Sequence, residues 1–250
     1  MPERAERGLS LVKHYPRGLV IEPHAHPWAQ VLYAVSGVMW VEAGQAALVV
    51  PPQRAVWLPP GLPHAIRMLG PVEMRNLYLN ADGDGRLGPE CLVVEASPLL
   101  RQLIAAIAEH EQAGRRDEEY LALAYRLAAL ELRHAPRLGG RIPLPDESDR
   151  RLAALCRAVI AQPSQQIGFE RHAADAGASV RTLARLFSRQ LGMGFAEWRR
   201  QVQLAVALSG LAEGRTVGAI AGELGYRPSS FSDMFRRELG ASPAAFLPPK

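Results

Sequence analysis

Three histidines are the residues of this sequence best suited to chemistry. His24 and His26 lie two positions apart in HAHPWAQ (24–30), and His64 comes much later in PPGLPHAI (59–66). Side chains alternate along a strand, so histidines at i and i+2 point to the same side, and a third from a neighbouring strand completes a facial set. Three imidazoles suit zinc, nickel, copper or iron. The residues alone leave three interpretations open: a metal site that does chemistry, a sensor pocket, or packing.

Size and composition set broad limits on the class of protein. The chain has 250 residues, enough for two domains, and 48% of them are hydrophobic, so a packed core is expected. No apolar run is long enough to cross a bilayer, and no signal-peptide segment follows the charged start MPERAERG. We therefore predict a cytoplasmic protein without a membrane partner. Cys91 and Cys156 form neither a disulfide framework nor a zinc pattern.

The net positive charge of the chain comes entirely from residues 146–250. Residues 1–145 carry 15 Arg and Lys against 15 Asp and Glu, whereas residues 146–250 carry 14 against 10. Nearly all these cations are arginines, whose forked guanidinium suits phosphate and guanine. The distribution favours a nucleic-acid partner for the C-terminal half.

Hydrophobic periodicity divides the chain into a β-rich part and a helical part. From about residue 18 to 80, short β-prone runs are broken by glycine or proline about every 8–12 residues, as in a barrel or sandwich. Two amphipathic helices are predicted at about 98–112 and 118–135. The segment APRLGGRIPLPDES has a linker composition. We predict a barrel over 1–95, a helical dimerisation or coupling segment over 96–135, a linker over 136–148 and a helical domain over 149–250.

The C-terminal third repeats itself at an offset of 48 residues. FERHAADAG and ASVRTLARLFSRQLG form one copy, and VGAIAGELG and YRPSSFSDMFRRELG form the other. Gly177 then falls on Gly225, and Phe187 falls on Phe235. Each copy reads as a short helix, a turn at a glycine and a second helix, which is the helix-turn-helix layout.

The second helix of each copy is expected to face the major groove with its polar N-terminal part. The intervening segment FAEWRRQVQLAVALSGLAEG predicts one helix of roughly 18 residues, about 27 Å long. It would hold the two recognition helices about one DNA turn, ~34 Å, apart, so a single chain could read two successive grooves. The predicted DNA-binding residues are Arg181, Thr182 and Arg185 in the first copy, and Ser229, Ser230, Asp233 and Arg236 in the second.

The segment GYRPSSFSDMFRRELGASPAAF resembles the closing signature of the AraC-type transcriptional regulators. The resemblance covers about residues 150–247 and implies binding to double-stranded promoter DNA, with RNA polymerase as a further partner if the protein is an activator. Two residues depart from the family pattern. His172 replaces an apolar or tryptophan residue, so we expect an imidazole in the core of the first copy. Asp233 lies near a position where members of this family usually carry a basic or neutral polar residue. Its carboxylate would repel phosphate, so we expect less base contact from the second copy.

The N-terminal strands resemble the cupin barrel. The motifs that carry this resemblance are HAH (24–26), Gln30, Gly37 and PPGLPH (59–64). In metal-binding cupins the resemblance places His24, His26 and His64 inward, with an acidic fourth ligand. Gln30 replaces the usual glutamate here. A neutral amide would leave the charge of a bound cation uncompensated, and it cannot act as a general base. The histidines therefore hold a divalent transition metal (Zn, Ni, Fe or Cu), bind a small effector without metal, or only pack.

The barrel is also rich in aromatic residues that could line an effector pocket. The predicted pocket residues are Trp28, Tyr33, Trp57 and Tyr78. Alternation allows only some of them to face inward, and aromatic residues in small barrels are more often part of the core.

The whole pattern predicts a two-domain fold, with an N-terminal all-β cupin-like barrel, following α-helices and a C-terminal all-α tandem helix-turn-helix domain. The corresponding function is a sequence-specific transcriptional regulator, activator or repressor, that senses a small molecule or metal and is not an enzyme. The alternative is a metal-dependent cupin enzyme fused to a helical domain. The apolar stripes of the helices over 96–135 predict packing on the barrel or a homodimer interface.

Overall fold

The structure of the protein is a computed structural model that describes residues 9–79, 87–114, 117–138, 141–146 and 148–247. The chain forms two compact units. The first contains the chain up to Gly44 and Leu48–Arg141, and the second contains Gln45–Ala47 and the chain from Ile142 onward.

The first unit contains most of the strands, which form two sheets. The strands are Leu9–Tyr15 (β1), Val20–His24 (β2), Ala29–Ser36 (β3), Met39–Ala43 (β4), Ala46–Val50 (β5), Arg54–Leu58 (β6), His64–Met68 (β7), Val72–Leu79 (β8), Leu92–Glu95 (β9), Arg137–Leu138 (β10) and Arg141–Pro143 (β11). Sheet 1 has the order β1-β8-β3-β6-β9-β10, and sheet 2 has the order β11-β5-β4-β7-β2.

Both faces of sheet 1 carry buried apolar residues, and the two sets belong to different cores. One face of β3 carries Leu32 and Ala34, which pack with residues of sheet 2 such as Met39 and Ile66. Side chains alternate along a strand, so the neighbouring position Val31 belongs to the other face and to a second core. Burial on both faces explains why β3 reads as a nearly continuous apolar run rather than an alternating one.

The second core of this unit is formed by sheet 1 and two helices, Pro98–Gln112 (α1) and Glu118–His134 (α2). Ser97 caps α1 by accepting from the amide of Leu100, and Asp117 caps α2 by accepting from the amide of Tyr120. The helical faces that pack on the sheet are Leu100, Ile104 and Ile107 of α1 and Ala124, Tyr125, Ala128 and Leu132 of α2. Both helices therefore pack on sheet 1, although Leu123, Leu127 and Leu130 of the apolar stripe on α2 remain exposed.

Part of the segment predicted as a linker is strand. Arg137 and Leu138 pair antiparallel with Val94 and Val93 at the edge of sheet 1. A linker prediction from proline and glycine content missed this pairing, because a two-residue strand leaves no periodic signal.

The second unit is helical, and its order confirms the predicted duplication. The helices are Arg150–Ala161 (α3), Phe169–Asp175 (α4), Val180–Leu186 (α5), Phe195–Ala212 (α6), Val217–Glu223 (α7) and Pro228–Leu239 (α8), with a π-helical turn at Phe187–Leu191 and a 3₁₀ turn at Pro243–Phe246. At the offset of 48, α4 and α5 fall on α7 and α8. The same offset places α3 on α6, so each copy has three helices, one more than the sequence comparison indicated. No helix among the described residues is long and apolar enough to span a membrane.

The two copies share the same turn conformation and an equivalent pair of aromatic residues in the core. Gly177 and Gly225 adopt left-handed φ values of 66° and 79° in the turns between the helices, a conformation that favours glycine. Phe187 lies 5.8 Å from Trp198 between ring centroids, and at the equivalent positions Phe235 lies 5.3 Å from Phe246. The two copies are therefore the same small fold.

His172 in α4 is buried in the core of the first copy, as the sequence predicted. Its side chain is 5% exposed, and its Nε2 has no hydrogen-bond partner among the described residues. Burial is the main cause that lowers the pKa of His172; Arg199 lowers this pKa further, whereas Asp175 raises it. The folded unit therefore favours the neutral imidazole.

We expect His172→Leu to stabilise this unit, and more so at acidic pH. Leucine removes an unpartnered buried nitrogen, which is worth about 1 kcal/mol. Below about pH 6.5 the unfolded chain binds a proton that the folded unit resists, so wild-type stability falls while the variant escapes this loss. Hydrogen exchange of the α4 and α5 amides in the full chain, at about pH 8 and about pH 5, measures the difference. The control is His134→Leu at an exposed position of α2; an equal gain for His172→Leu at both pH values would contradict the expectation.

Candidate functional site

The three histidines meet at one end of sheet 2. His24 is the last residue of β2 and pairs in register with His64, the first residue of β7. His26 lies beyond the end of β2, in the loop that leads to β3. The expectation that His24 and His26 share one strand is therefore wrong in detail, because β2 ends early. The loop nevertheless returns His26 to the same cluster.

The cluster is close enough to hold one metal ion. The ring centroids of His24 and His64 are 4.4 Å apart, and those of His26 and His64 are 5.2 Å apart. One nitrogen from each of the three rings lies within 4.8 Å of the other two. His26 and His64 are buried, and His24 is half-buried. This geometry suits a facial set of three imidazole ligands.

Backbone carbonyl groups determine which nitrogen of each ring is available. The Nδ1 atoms of His24, His26 and His64 lie 2.9, 2.8 and 2.9 Å from the carbonyl oxygens of Glu22, Trp28 and Leu62. A carbonyl oxygen only accepts, so each Nδ1 donates and each neutral ring keeps its lone pair on Nε2. Metal-binding histidines are commonly oriented by such a bond from the other nitrogen.

His64 carries the feature most typical of a ligand site. Its Nε2 is buried and has no hydrogen-bond partner among the described residues. Burial lowers the pKa of His64 to about 4, against the smaller opposing effect of its bond to Leu62, and the nearby His24 and His26 lower it further. The ring is neutral near pH 7, which is the form that binds a metal. A buried unpaired nitrogen costs stability unless a ligand satisfies it.

Gln30 connects the cluster to sheet 1. Its Oε1 lies 3.0 Å from Nε2 of His26, and its Nε2 donates to Asn76 Oδ1 at 3.3 Å and to Tyr78 Oη at 3.2 Å. Because Nδ1 of His26 carries the proton, the lone pair on its Nε2 faces the amide oxygen of Gln30, which is also an acceptor. The residues present thus fit a cation with three imidazole ligands and a neutral amide beside them.

A cavity of about 450 Å³ opens beside the cluster. His24, Gln30, Asn76 and Tyr78 line one part of it, and Lys13 lies on the same lining. A volume of this size suits a small organic molecule. Asn76 and Lys13 were missed from the sequence, although period-two alternation in MRNLYLN places Asn76 on the face of Tyr78.

The predicted pocket aromatics separate into two groups. Tyr78 lines the cavity, and the Trp28 ring lies 6.1 Å from that of His26. Tyr33 and Trp57 instead belong to the core between sheet 1 and the helices, so their predicted pocket role is corrected to core packing. The reason is alternation, since Tyr33 is three positions after Gln30 and points to the opposite face.

The predicted DNA-binding residues of the first copy lie on the surface of α5. Arg181 and Arg185 are exposed. Thr182 is half-buried, and its amide donates to Oγ of the N-cap Ser179 at 3.1 Å. The buried side of the helix carries Leu183 and Leu186. The two arginines therefore share the face that points away from the core, while Thr182 contributes to capping.

The equivalent surface of the second copy lies on α8. Ser229, Ser230, Asp233 and Arg236 are all exposed. Asp233 Oδ1 lies 3.9 Å from Arg236 Nη1, one turn further along the helix. The predicted residues thus form an accessible polar face, but its charges differ from those of α5.

Two family models match the chain in the order of its two units. A model described as "AraC-like ligand binding domain" matches residues 10–128, and one described as "Helix-turn-helix domain" matches residues 172–248. The chain belongs to the AraC-type transcriptional regulators. This regulator therefore combines an N-terminal ligand-binding domain with a helix-turn-helix DNA-binding domain, which confirms the predicted fold class and the prediction of a transcriptional regulator with a ligand-binding domain.

Similar proteins are also regulators. The chain is 29% identical over 225 residues to the HTH-type transcriptional regulator NimR of Escherichia coli (strain K12), covering 90% of this chain and 81% of NimR. It is 34% identical over 108 residues to the HTH-type transcriptional regulator RipA of Corynebacterium glutamicum, covering 42% of this chain and 33% of RipA.

Some solved structures show a limited likeness to this chain. ToxT from Vibrio cholerae strain SCE256, bound to an unsaturated fatty acid, has 12% identity and a TM-score of 0.40 over 98% of this chain and 96% of ToxT. An AraC-type transcriptional regulator from Chromobacterium violaceum has 22% identity and a TM-score of 0.37 over 40% of this chain and 90% of that structure.

Proposed function

We propose that this regulator senses a divalent transition metal, or a small effector together with that metal, at His24, His26 and His64. The observation that carries the proposal is the orientation of the three rings. Each Nδ1 is engaged by a carbonyl group, so three Nε2 lone pairs remain for one ligand, and that of His64 is buried without a partner among the described residues. Zinc, nickel, iron and copper all accept such a donor set, and the bound ion would act as a Lewis acid toward a donor atom of an effector in the adjacent cavity.

A sensing role fits the site better than turnover. Gln30 occupies the position of the usual acidic ligand, and its amide is held by Asn76 and Tyr78 and is no general base. The tandem helix-turn-helix domain gives a regulator its output, whereas catalysis has no use for it. We therefore propose a cytoplasmic regulator that is not an enzyme and acts where promoter DNA is found.

Sheet 1 offers a route from the site to the helices. Gln30 contacts the histidine cluster from one face of β3, while its neighbours Ala29 and Val31 lie in the core against α1 and α2. A ligand that moves Gln30 therefore shifts the surface on which these helices pack. Such a ligand changes the output only if it binds one arrangement better than the other.

The exposed side of α2 supports a homodimer. Tyr120, Leu123, Leu127 and Leu130, here called the α2 seam, are 42%, 61%, 41% and 37% exposed. Their spacing of three, four and three residues is the a/d pattern of a two-helix seam, and Arg126 and Glu131 place both charge signs at its edges. Because a two-fold axis lets one such stripe pack against itself, a second copy of this chain is the partner we propose.

DNA recognition is assigned to the exposed faces of α5 and α8. In the first copy Arg181 and Arg185 carry the forked groups that bind guanine or phosphate. In the second copy the corresponding face carries Ser229, Asp233 and Arg236. The first helix of the second copy, α6, connects α5 to α7; it has 18 residues and would be about 27 Å long, close to one turn of the duplex.

We expect Arg185→Ala to weaken binding to an operator selected from random duplex DNA. The loss is about 1–3 kcal/mol if the guanidinium contacts a base, and the salt slope falls by about one if it contacts a phosphate. Fluorescence anisotropy at several salt concentrations distinguishes a contact with a base from a contact with a phosphate. Arg133→Ala on exposed α2 is the control. Wild-type affinity and slope for Arg185→Ala would remove Arg185 from the recognition face.

We expect His64→Ala to lose the metal that the wild-type chain retains. Elemental analysis after loading with Zn²⁺ and dialysis should give a much lower zinc content for the variant, while His14→Ala, outside the cluster, keeps the wild-type content. Gln30→Glu should tighten zinc binding because a carboxylate compensates the charge of the cation. Equal zinc content in wild type and His64→Ala would exclude His64 as a ligand. Equal operator affinity with and without zinc would exclude sensing by the metal alone.

We expect Leu127→Glu to convert a dimer into a monomer, because it buries a charge in the α2 seam. Sedimentation velocity of the full chain measures the change. Ala122→Glu introduces the same charge at an exposed position of α2 outside the seam and should leave the dimer intact. A wild-type monomer, or a Leu127→Glu dimer of unchanged stability, would show that the seam is not the interface.

A further inference from the structure

The internal duplication shows that α5 and α8 differ in charge at equivalent exposed positions. At the offset of 48, Arg181 of α5 corresponds to Ser229 of α8, and Arg185 corresponds to Asp233. The fold is the same in both copies, so these residues occupy the same place on the domain surface. The second copy has therefore replaced one cation by a neutral group and the other by an anion.

The cation of the second copy lies one turn further along the same face. Ser229, Asp233 and Arg236 are spaced at i, i+4 and i+7, which places them on one side of a helix. The opposite side is buried through Phe231, Met234 and Phe235. Arg236 thus shares the exposed face with Asp233 and extends from the adjacent turn.

Asp233 and Arg236 form an ion pair on this face. Asp233 Oδ1 lies 3.9 Å from Arg236 Nη1, and the side chains are 77% and 60% exposed. The neighbouring Arg237 lies near a different carboxylate, Glu238, at 3.8 Å. A lone carboxylate facing DNA would repel phosphate, whereas a paired one cancels charge and restricts the guanidinium to fewer directions.

We propose that Asp233 is a positioning residue that holds Arg236 toward the major groove, where Arg236 reads guanine. The second copy then obtains sequence specificity from an oriented arginine rather than from net positive charge. The proposal rests on the assignment of α8 as a recognition helix. It also gives Asp233 a role other than the loss of base contact that its charge alone predicts.

The test is selection of binding sites by the full-length chain from duplex DNA with a randomised core. Wild type is compared with Asp233→Ala, Arg236→Ala, the double variant and Asp233→Glu. We expect Arg236→Ala to lose about tenfold preference for guanine at one position. Asp233→Ala should lose the same preference, the double variant should lose no more than either single variant, and Asp233→Glu should restore part of it.

The same experiment distinguishes a positioning role of Asp233 from simple repulsion of phosphate. If Asp233 only repels phosphate, Asp233→Ala binds all sequences more tightly with unchanged base preference and a steeper salt dependence; that result overturns the proposal. A guanine preference that survives Arg236→Ala overturns it as well. Failure of the wider DNA-binding assignment is seen separately, as wild-type behaviour of Arg185→Ala in the first copy. Both α8 positions are exposed, and thermal unfolding verifies that each variant is folded.

Discussion

The alternation of side chains across sheet 1 is the constraint on which the N-terminal domain depends. Along β3, Gln30 and Leu32 face sheet 2, and Val31 and Tyr33 face the helices α1 and α2. A strand moved by one residue would exchange these faces and bury the amide among apolar side chains. The same backbone therefore holds the polar site and the helix-packing core in a fixed relation to each other.

The histidine cluster depends on backbone geometry as much as on its imidazoles. Three carbonyl oxygens accept from the Nδ1 atoms, so each neutral ring keeps its lone pair on Nε2. The cost is visible at His64, where a buried nitrogen has no hydrogen-bond partner among the described residues. Beside two further imidazoles, such a nitrogen favours a ligand site, because a bound ion would recover the lost interaction.

In the C-terminal domain the two copies share the features that determine the fold but differ in their exposed residues. Both copies keep a left-handed glycine in the turn and a pair of aromatic rings in the core, since these determine how three short helices pack. The exposed positions are free of that requirement, and Arg185 and Asp233 have diverged to opposite charge at equivalent places. A domain of two identical folds can thereby present two different surfaces to one duplex.

Sequence patterns alone determined the β-rich and helical halves, the duplicated helix-turn-helix and the three histidines as a set, because periodicity and repeats are properties of the chain itself. Tertiary structure decided the rest. It placed Tyr33 and Trp57 in the helix-facing core, made part of the linker a strand, and brought Asn76 beside Gln30. Which face of a strand meets a ligand, and which nitrogen of a ring is left without a proton, depend on partners distant in sequence, and no local pattern records them.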